Sequence, residues 1–129
     1  MKLNYDCIRD ILMLLEEKTD GVSIVSYDFT KTSTNCPLVG KYTSTEIRYH
    51  IQQCEYDGLL INSEWTMDNT FTVLDISPKA HQFLANVRSQ TIWEKVKAIA
   101  VKIGVVSLQA LIQISNTVTA EQIQSSLLQ

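Results

Sequence analysis

The chain has 129 residues, 45% of them hydrophobic, and a net charge of −3. That composition fits one domain spanning 1–129, with a core that needs neither disulfide nor metal. A charged fraction of 19% excludes a disordered chain, and no apolar run reaches the roughly 20 residues of a membrane span. Asp6, Arg9 and Asp10 break up any signal-peptide core, and the odd cysteines Cys7, Cys36 and Cys54 read as reduced thiols of a cytoplasmic protein.

Asn4 can cap a first helix whose apolar stripe is Ile8, Ile11, Leu12 and Leu15, with Gly21 just past its end. Residues 22–29 are β-branched and aromatic and predict a strand. A polar loop follows from Thr30 to Gly40, in which Leu38 to Lys41 could form a short helical turn. Thr43 and Glu46 make a capping box for a helix that buries Ile47, Ile51 and Cys54 and stops at Gly58. Leu59–Thr66 and Thr70–Ser77 predict a hairpin turning at Met67-Asp68-Asn69. Ser77-Pro78 then starts a helix carrying Ala80, Phe83, Leu84 and Val87. Thr91 and Glu94 form a second capping box, for a helix with Ile92, Val96, Ile99 and Ile103 inward and Gly104 at its end. Ser107 caps a helix with Leu108, Leu111 and Ile112, and a short last segment holds Ile123, Leu127 and Leu128.

Helix, strand, helix and hairpin is the element order of a winged helix. The expected fold is therefore α+β, with a winged-helix-like part at 1–77 and a helical extension at 78–129. A DNA-reading winged helix has two helices between its first strand and the hairpin, and this sequence shows one clearly.

The opening Met1-Lys-Leu-Asn-Tyr-Asp-Cys-Ile-Arg-Asp-Ile-Leu12 resembles that of an uncharacterised domain family encoded by phages and prophages of Gram-positive bacteria. So do Glu46-Ile-Arg-Tyr-His-Ile51, Asp57-Gly-Leu-Leu60, Ser77-Pro-Lys-Ala-His-Gln-Phe-Leu84, Asn86-Val-Arg88, Trp93 and Ser107-Leu108. Ala80 stands where the family usually has glycine, a change a helix interior tolerates. The resemblance implies a winged-helix-like fold and a phage or prophage origin, and it implies no activity.

No catalytic motif is present: there is no G-x-S-x-G elbow, glycine-rich phosphate loop or paired carboxylates between apolar strands. His50 and Cys54 are spaced i, i+4, but no C-x-x-C or H-x-x-x-H pair anchors a zinc site. Cys54 is expected as a core thiol beside a partly exposed His50, and His81 in a packing or capping role. The reading is a non-enzyme with no cofactor and no metal.

Charge argues against DNA. Residues 1–77 hold six basic and twelve acidic side chains, a net of −6, and the stretch 59–77 has three acids and no Lys or Arg. Non-specific DNA affinity comes chiefly from Lys and Arg on phosphates. An alternative nucleic-acid reading rests on Arg48 and on Arg88, Lys95 and Lys102, which recur every seven residues and could form one basic stripe.

A partner-binding surface would instead use large amphipathic side chains. Thr45, Tyr49, Gln52 and Tyr56 lie opposite the buried stripe of their helix, and Trp65 near the hairpin tip is a candidate for the same surface. The expected partner is a host or phage protein. Beyond Gly104 the only ionisable side chain is Glu121, amid Val105, Val106, Leu108, Leu111, Ile112, Ile114, Val118, Ile123, Leu127 and Leu128. Ile114 and Val118 are expected on a different side from the core stripe, which favours a homodimer through the C-terminal helices.

Overall fold

Asn4 sits in extended conformation and its side chain accepts the Cys7 N–H, opening helix α1 (Tyr5–Lys18). This computed structural model describes residues 1–29, 35–105 and 107–128. Expectations for Thr30–Thr34 and Val106 lie outside them. Strand β1 (Val25–Asp28) follows, then helix α2 (Ser44–Tyr56). The hairpin consists of β2 (Leu60–Ile61), β3 (Glu64–Trp65), β4 (Thr70–Val73) and β5 (Asp75–Ile76). Helices α3 (Pro78–Val87), α4 (Gln90–Ile103) and α5 (Leu108–Leu127) complete the chain. The fold is α+β.

The two expected hairpin strands are each broken in two. Asn62 takes a left-handed conformation (φ 51°), so the first arm kinks between β2 and β3, while Leu74 N–H still donates to Ile61 O across the gap. Beyond the kink, β4 pairs antiparallel with both β1 and β3, and β2 pairs with β5 below it. Asn69, also left-handed (φ 64°), makes the tip turn. Between β1 and α2 the described residues contain a turn, in which Tyr42 N–H donates to Leu38 O, and no second helix.

Helix α1 lies at the centre. Its stripe of Cys7, Ile8, Ile11, Leu12 and Leu15 is fully buried, each aliphatic side chain contributing about 1.5–3 kcal/mol over an exposed one. Its flanks reach the C-terminal helices. Arg9 donates to the Val87 and Arg88 carbonyls at 3.0 Å, supplying a cation and donors where the last turn of α3 has orphan acceptors. Trp93, fully buried, stacks edge-on against Phe83 and donates its indole N–H to Asp6 at 2.8 Å. On α3, buried Asn86 donates to Ser115 and Asn116 of α5.

Several expectations are corrected here. Helix α4 is capped by Ser89, whose hydroxyl accepts the Ile92 N–H, and not by Thr91. Packing on the core turns Trp93, Val96 and Ala100 inward, half-buries Ile92 and leaves Ile99 and Ile103 exposed. Helix α5 continues unbroken through Ile123 to Leu127, absorbing the expected separate last segment. Val118 is buried in the chain's own core rather than turned to a different side. At α2, Thr43 accepts the Glu46 N–H, but the Glu46 carboxylate does not complete the box: it takes the Asn4 side-chain amide at 3.2 Å.

His50 is fully buried, not partly exposed. Its Nε2 accepts the Asn4 backbone N–H at 2.8 Å and its Nδ1–H donates to Glu46 O at 2.7 Å. Both ring nitrogens are therefore committed to the neutral form, because a proton on Nε2 would face another donor. Burial pushes the His50 pKa below the ordinary imidazole value, against the smaller opposing pull of the Glu46 carbonyl. The unfolded chain thus binds a proton that the native state refuses. Stability is expected to be full above about pH 6.5 and to fall below it, by at most about 1.4 kcal/mol per pH unit, until the native His50 titrates. The His50→Gln variant should lose this slope between about pH 7 and pH 5. Denaturant unfolding at several pH values checks it, and a flat wild-type profile in that window would contradict the account.

Candidate functional site on the outer face of the second helix

Helix α2 turns Ile47, His50, Ile51 and Cys54 to the core, which leaves two outward flanks that behave differently. One flank grips the hairpin. Arg48 donates to Asn69 at 3.0 Å and its guanidinium lies 5.7 Å over the Trp65 ring. Glu55, seven residues on and so on the same line, accepts the Trp65 indole N–H and the Ser63 hydroxyl, both at 2.7 Å. Trp65 in turn packs 5.0 Å from Phe71 and 5.9 Å from Phe29. A half-buried indole held by its N–H, by a cation over its face and by two rings is part of the hairpin's own packing. Trp65 therefore does not share a surface with Tyr49 and Tyr56.

The other flank presents the uncharged α2 residues Thr45, Tyr49, Gln52 and Tyr56, with Arg48 and Lys2 at its edge. Thr45, Tyr49 and Gln52 come together around a shallow recess of about 270 Å³ that Met1 and Arg48 complete. Tyr49 also borders a deeper hollow of about 320 Å³ with Leu3, Tyr5, Gly104 and Val105, its ring meeting the edge of His50 at 5.1 Å. Tyr56 lies two turns further along, 81% exposed, beside Ser107 and Gln109 of the C-terminal part. The four α2 residues thus form a strip that runs from the N-terminus to the start of α5.

The basic residues are dispersed. Arg88 is separated from α4 by the helix break at Ser89 and is bound at 2.8 and 3.0 Å to the Glu16 carboxylate. That contact holds the Glu16 pKa below its usual range. Lys95 reaches Gln122 on α5 at 3.5 Å, and Lys102 stands exposed near the end of α4. The seven-residue spacing implies a stripe only on one continuous helix, and two helices carry these three residues. His81, exposed on α3, approaches Glu16 at 3.7 Å.

The thiols are poor nucleophiles. Burial pushes the Cys7 pKa up to about 12 and raises Cys36 and Cys54 as well. Among the described residues, no group of three or more His, Cys, Asp or Glu side chains is placed to hold a metal ion, and no helix is long and apolar enough to cross a membrane. Sequence reasoning missed the Arg48–Trp65–Glu55 clamp. The i, i+7 spacing of opposite charges around an aromatic hairpin was its one visible signal.

A family model described as hypothetical protein (DUF2513) matches residues 2–106, which takes in α1 to α4 and stops short of α5. An uncharacterized protein of Haemophilus influenzae is 25% identical over 127 residues, covering 95% of this chain and 99% of the relative. No solved structure matches. With most of its length matched, the chain belongs to the DUF2513 family.

The two flanks of α2 should respond oppositely to truncation. Trp65→Ala is expected to destabilise by about 2–4 kcal/mol, since it removes packing and leaves Glu55 with the Ser63 hydroxyl alone. Tyr56→Ala should stay within about 0.5 kcal/mol of the parent. Urea unfolding of the two variants distinguishes them, and equal costs would contradict the assignment.

Proposed function

We propose that this DUF2513 protein is a non-enzymatic, cytoplasmic, winged-helix-like module of phage or prophage origin that binds another protein through the outer strip of α2. One observation carries the reading. The helix nearest in position to a winged helix's DNA reader shows solvent Thr45, Tyr49, Gln52 and Tyr56, all uncharged, while its one arginine, Arg48, is spent on Trp65 and Asn69. An exposed Tyr56 and a half-buried Tyr49, flanked by Thr and Gln, supply rigid amphipathic area with hydrogen-bonding ends, the chemistry of a protein interface centre. The hairpin beside it has no Lys or Arg and three acids between residues 59 and 77, which opposes phosphate contact. The partner is a host or phage protein, and the role is regulatory, of antirepressor type, or directed against a host factor such as a defence system.

The competing reading, a DNA-binding transcription regulator, separates cleanly. The chain is expected to pass heparin at about 150 mM salt and to leave DNA unshifted, including DNA upstream of its own gene. Immobilised wild-type chain should retain a defined protein that Tyr49→Ala and Tyr56→Ala chains, folded to the same thermal midpoint, release. A submicromolar DNA complex with steep salt dependence would overturn the proposal, as would retention of the same protein by both variants.

A further inference from the structure

Two hollows meet at Tyr49, and the charges in their walls are of one sign. The deeper, about 320 Å³, is lined by Leu3, Tyr5, Tyr49, Gly104 and Val105 together with exposed Lys2. The shallower, about 270 Å³, is lined by Thr45, Arg48, Tyr49 and Gln52, and Met1 borders both. Among the described residues no Asp or Glu lines either hollow, and neither Lys2 nor Arg48 forms an ion pair. Arg48 keeps its charge although it grips the hairpin, because Asn69 and the Trp65 ring are both neutral. Its Nε is buried and donates to no partner. Glu46, between Thr45 and Arg48 in sequence, is taken by the Asn4 side chain.

Internal bonds hold the deeper hollow in shape. The Tyr5 hydroxyl donates to the Val105 carbonyl at 2.5 Å, joining two of its walls, and the Asn4 N–H on His50 fixes the segment that carries Lys2 and Leu3. A hollow already formed spares a ligand the cost of ordering it. Its walls are mostly aliphatic and aromatic, and its size is at the small end of the roughly 300–1,000 Å³ of ligand pockets, which fits one large apolar side chain. Two cations are too few for a phosphate track, and a nucleic-acid duplex has no apolar side chain to fill the hollow. A protein segment supplies both an apolar anchor and carboxylates for the cations. We propose that the partner presents an acidic segment to this face, with one Leu, Phe or Trp seated against Leu3, Tyr49 and Val105. An Asp or Glu beside that anchor faces Lys2, and Arg48 adds its field from the neighbouring recess. The proposal rests on the reading of α2 as a protein-binding surface and adds the chemistry that the surface recognises.

A displayed library of random short peptides, selected on the immobilised full chain, tests it. Enriched peptides are expected to carry Asp or Glu next to Leu, Phe or Trp and to shift the NMR amide signals of Lys2, Leu3, Tyr49 and Val105. Lys2→Glu, at an exposed position, should weaken a selected peptide by about tenfold at an unchanged thermal midpoint, because it sets like charges against each other. Exchanging the peptide's acid for Lys should restore binding to that variant, and replacing its apolar anchor by Ala should abolish binding to the wild type. Selection of basic or uncharged peptides, or of none, overturns the proposal. So does a charge swap that fails to rescue, and so does duplex DNA that shifts the same amides. Peptides that shift Gln52 and Tyr56 but leave Lys2, Leu3 and Val105 unmoved overturn this assignment alone. Failure of the α2 strip itself would show instead as selected peptides indifferent to both Tyr49→Ala and Tyr56→Ala.

Discussion

Three consecutive residues at the first turn of α1 hold the parts of this molecule to one another. The Asn4 backbone N–H is donated to His50 of α2, the Tyr5 hydroxyl to the Val105 carbonyl in the α4–α5 link, and Asp6 accepts the Trp93 indole N–H from α4. None of these bonds is local: their partners lie 46, 100 and 87 residues away. A helix N-terminus has free N–H groups and a partial positive charge to satisfy. Here that need is met partly by Asn4's own side chain and partly by elements that must already be in place. The Asn4 N–H has its acceptor only when α2 is docked, and Trp93 has its polar partner only when α1 is in place.

The same economy explains the surface. Arg48, Glu55, Asp6, Glu16 and Arg88 all sit in internal contacts: two clamp Trp65, one ties Trp93 and Lys97, and two join α1 to the end of α3. Hydrogen bonds from Trp93 and Lys97 outweigh burial and hold the Asp6 carboxyl below its usual range, so these charges serve cohesion. What remains outward on α2 is Thr, Tyr and Gln. The strip's own α2 residues are uncharged because Arg48 and Glu55 are occupied by the hairpin and Glu46 by Asn4.

Much of the fold was legible because its signals are local. Asn4, Thr43, Ser77 and Ser107 each accept the N–H three residues on, and Gly58 and Gly104 take positive φ just where helices end. These features depend on a few neighbouring residues. The start of α4 went wrong because Ser89 and Thr91 are both competent caps, and only the burial of Trp93 chooses between them. The burial of Trp93 together with Val96 and Ala100 turns Ile99 and Ile103 outward. His50 and Trp65 were misjudged for a related reason: a histidine's exposure and an indole's partner are set by chain segments far away. The candidate site was half legible. Periodicity placed Thr45, Tyr49, Gln52 and Tyr56 opposite the core stripe, but whether Trp65 joined them depended on Arg48 and Glu55. The Arg88–Lys95–Lys102 stripe was arithmetic on a helix that breaks at Ser89.

Native-state hydrogen exchange tests the claim that the first turn of α1 joins the molecule. The Asn4 amide, the core amides of α2 and those of α4 around Trp93 should exchange with one common free energy, equal to that of global unfolding. Tyr5→Phe and Trp93→Phe, each removing one of the long-range bonds, should lower all three together. A set of α4 and α5 amides that opens at lower free energy while α1 and α2 stay protected would contradict the account, since the C-terminal helices would then be an independent unit resting on the rest.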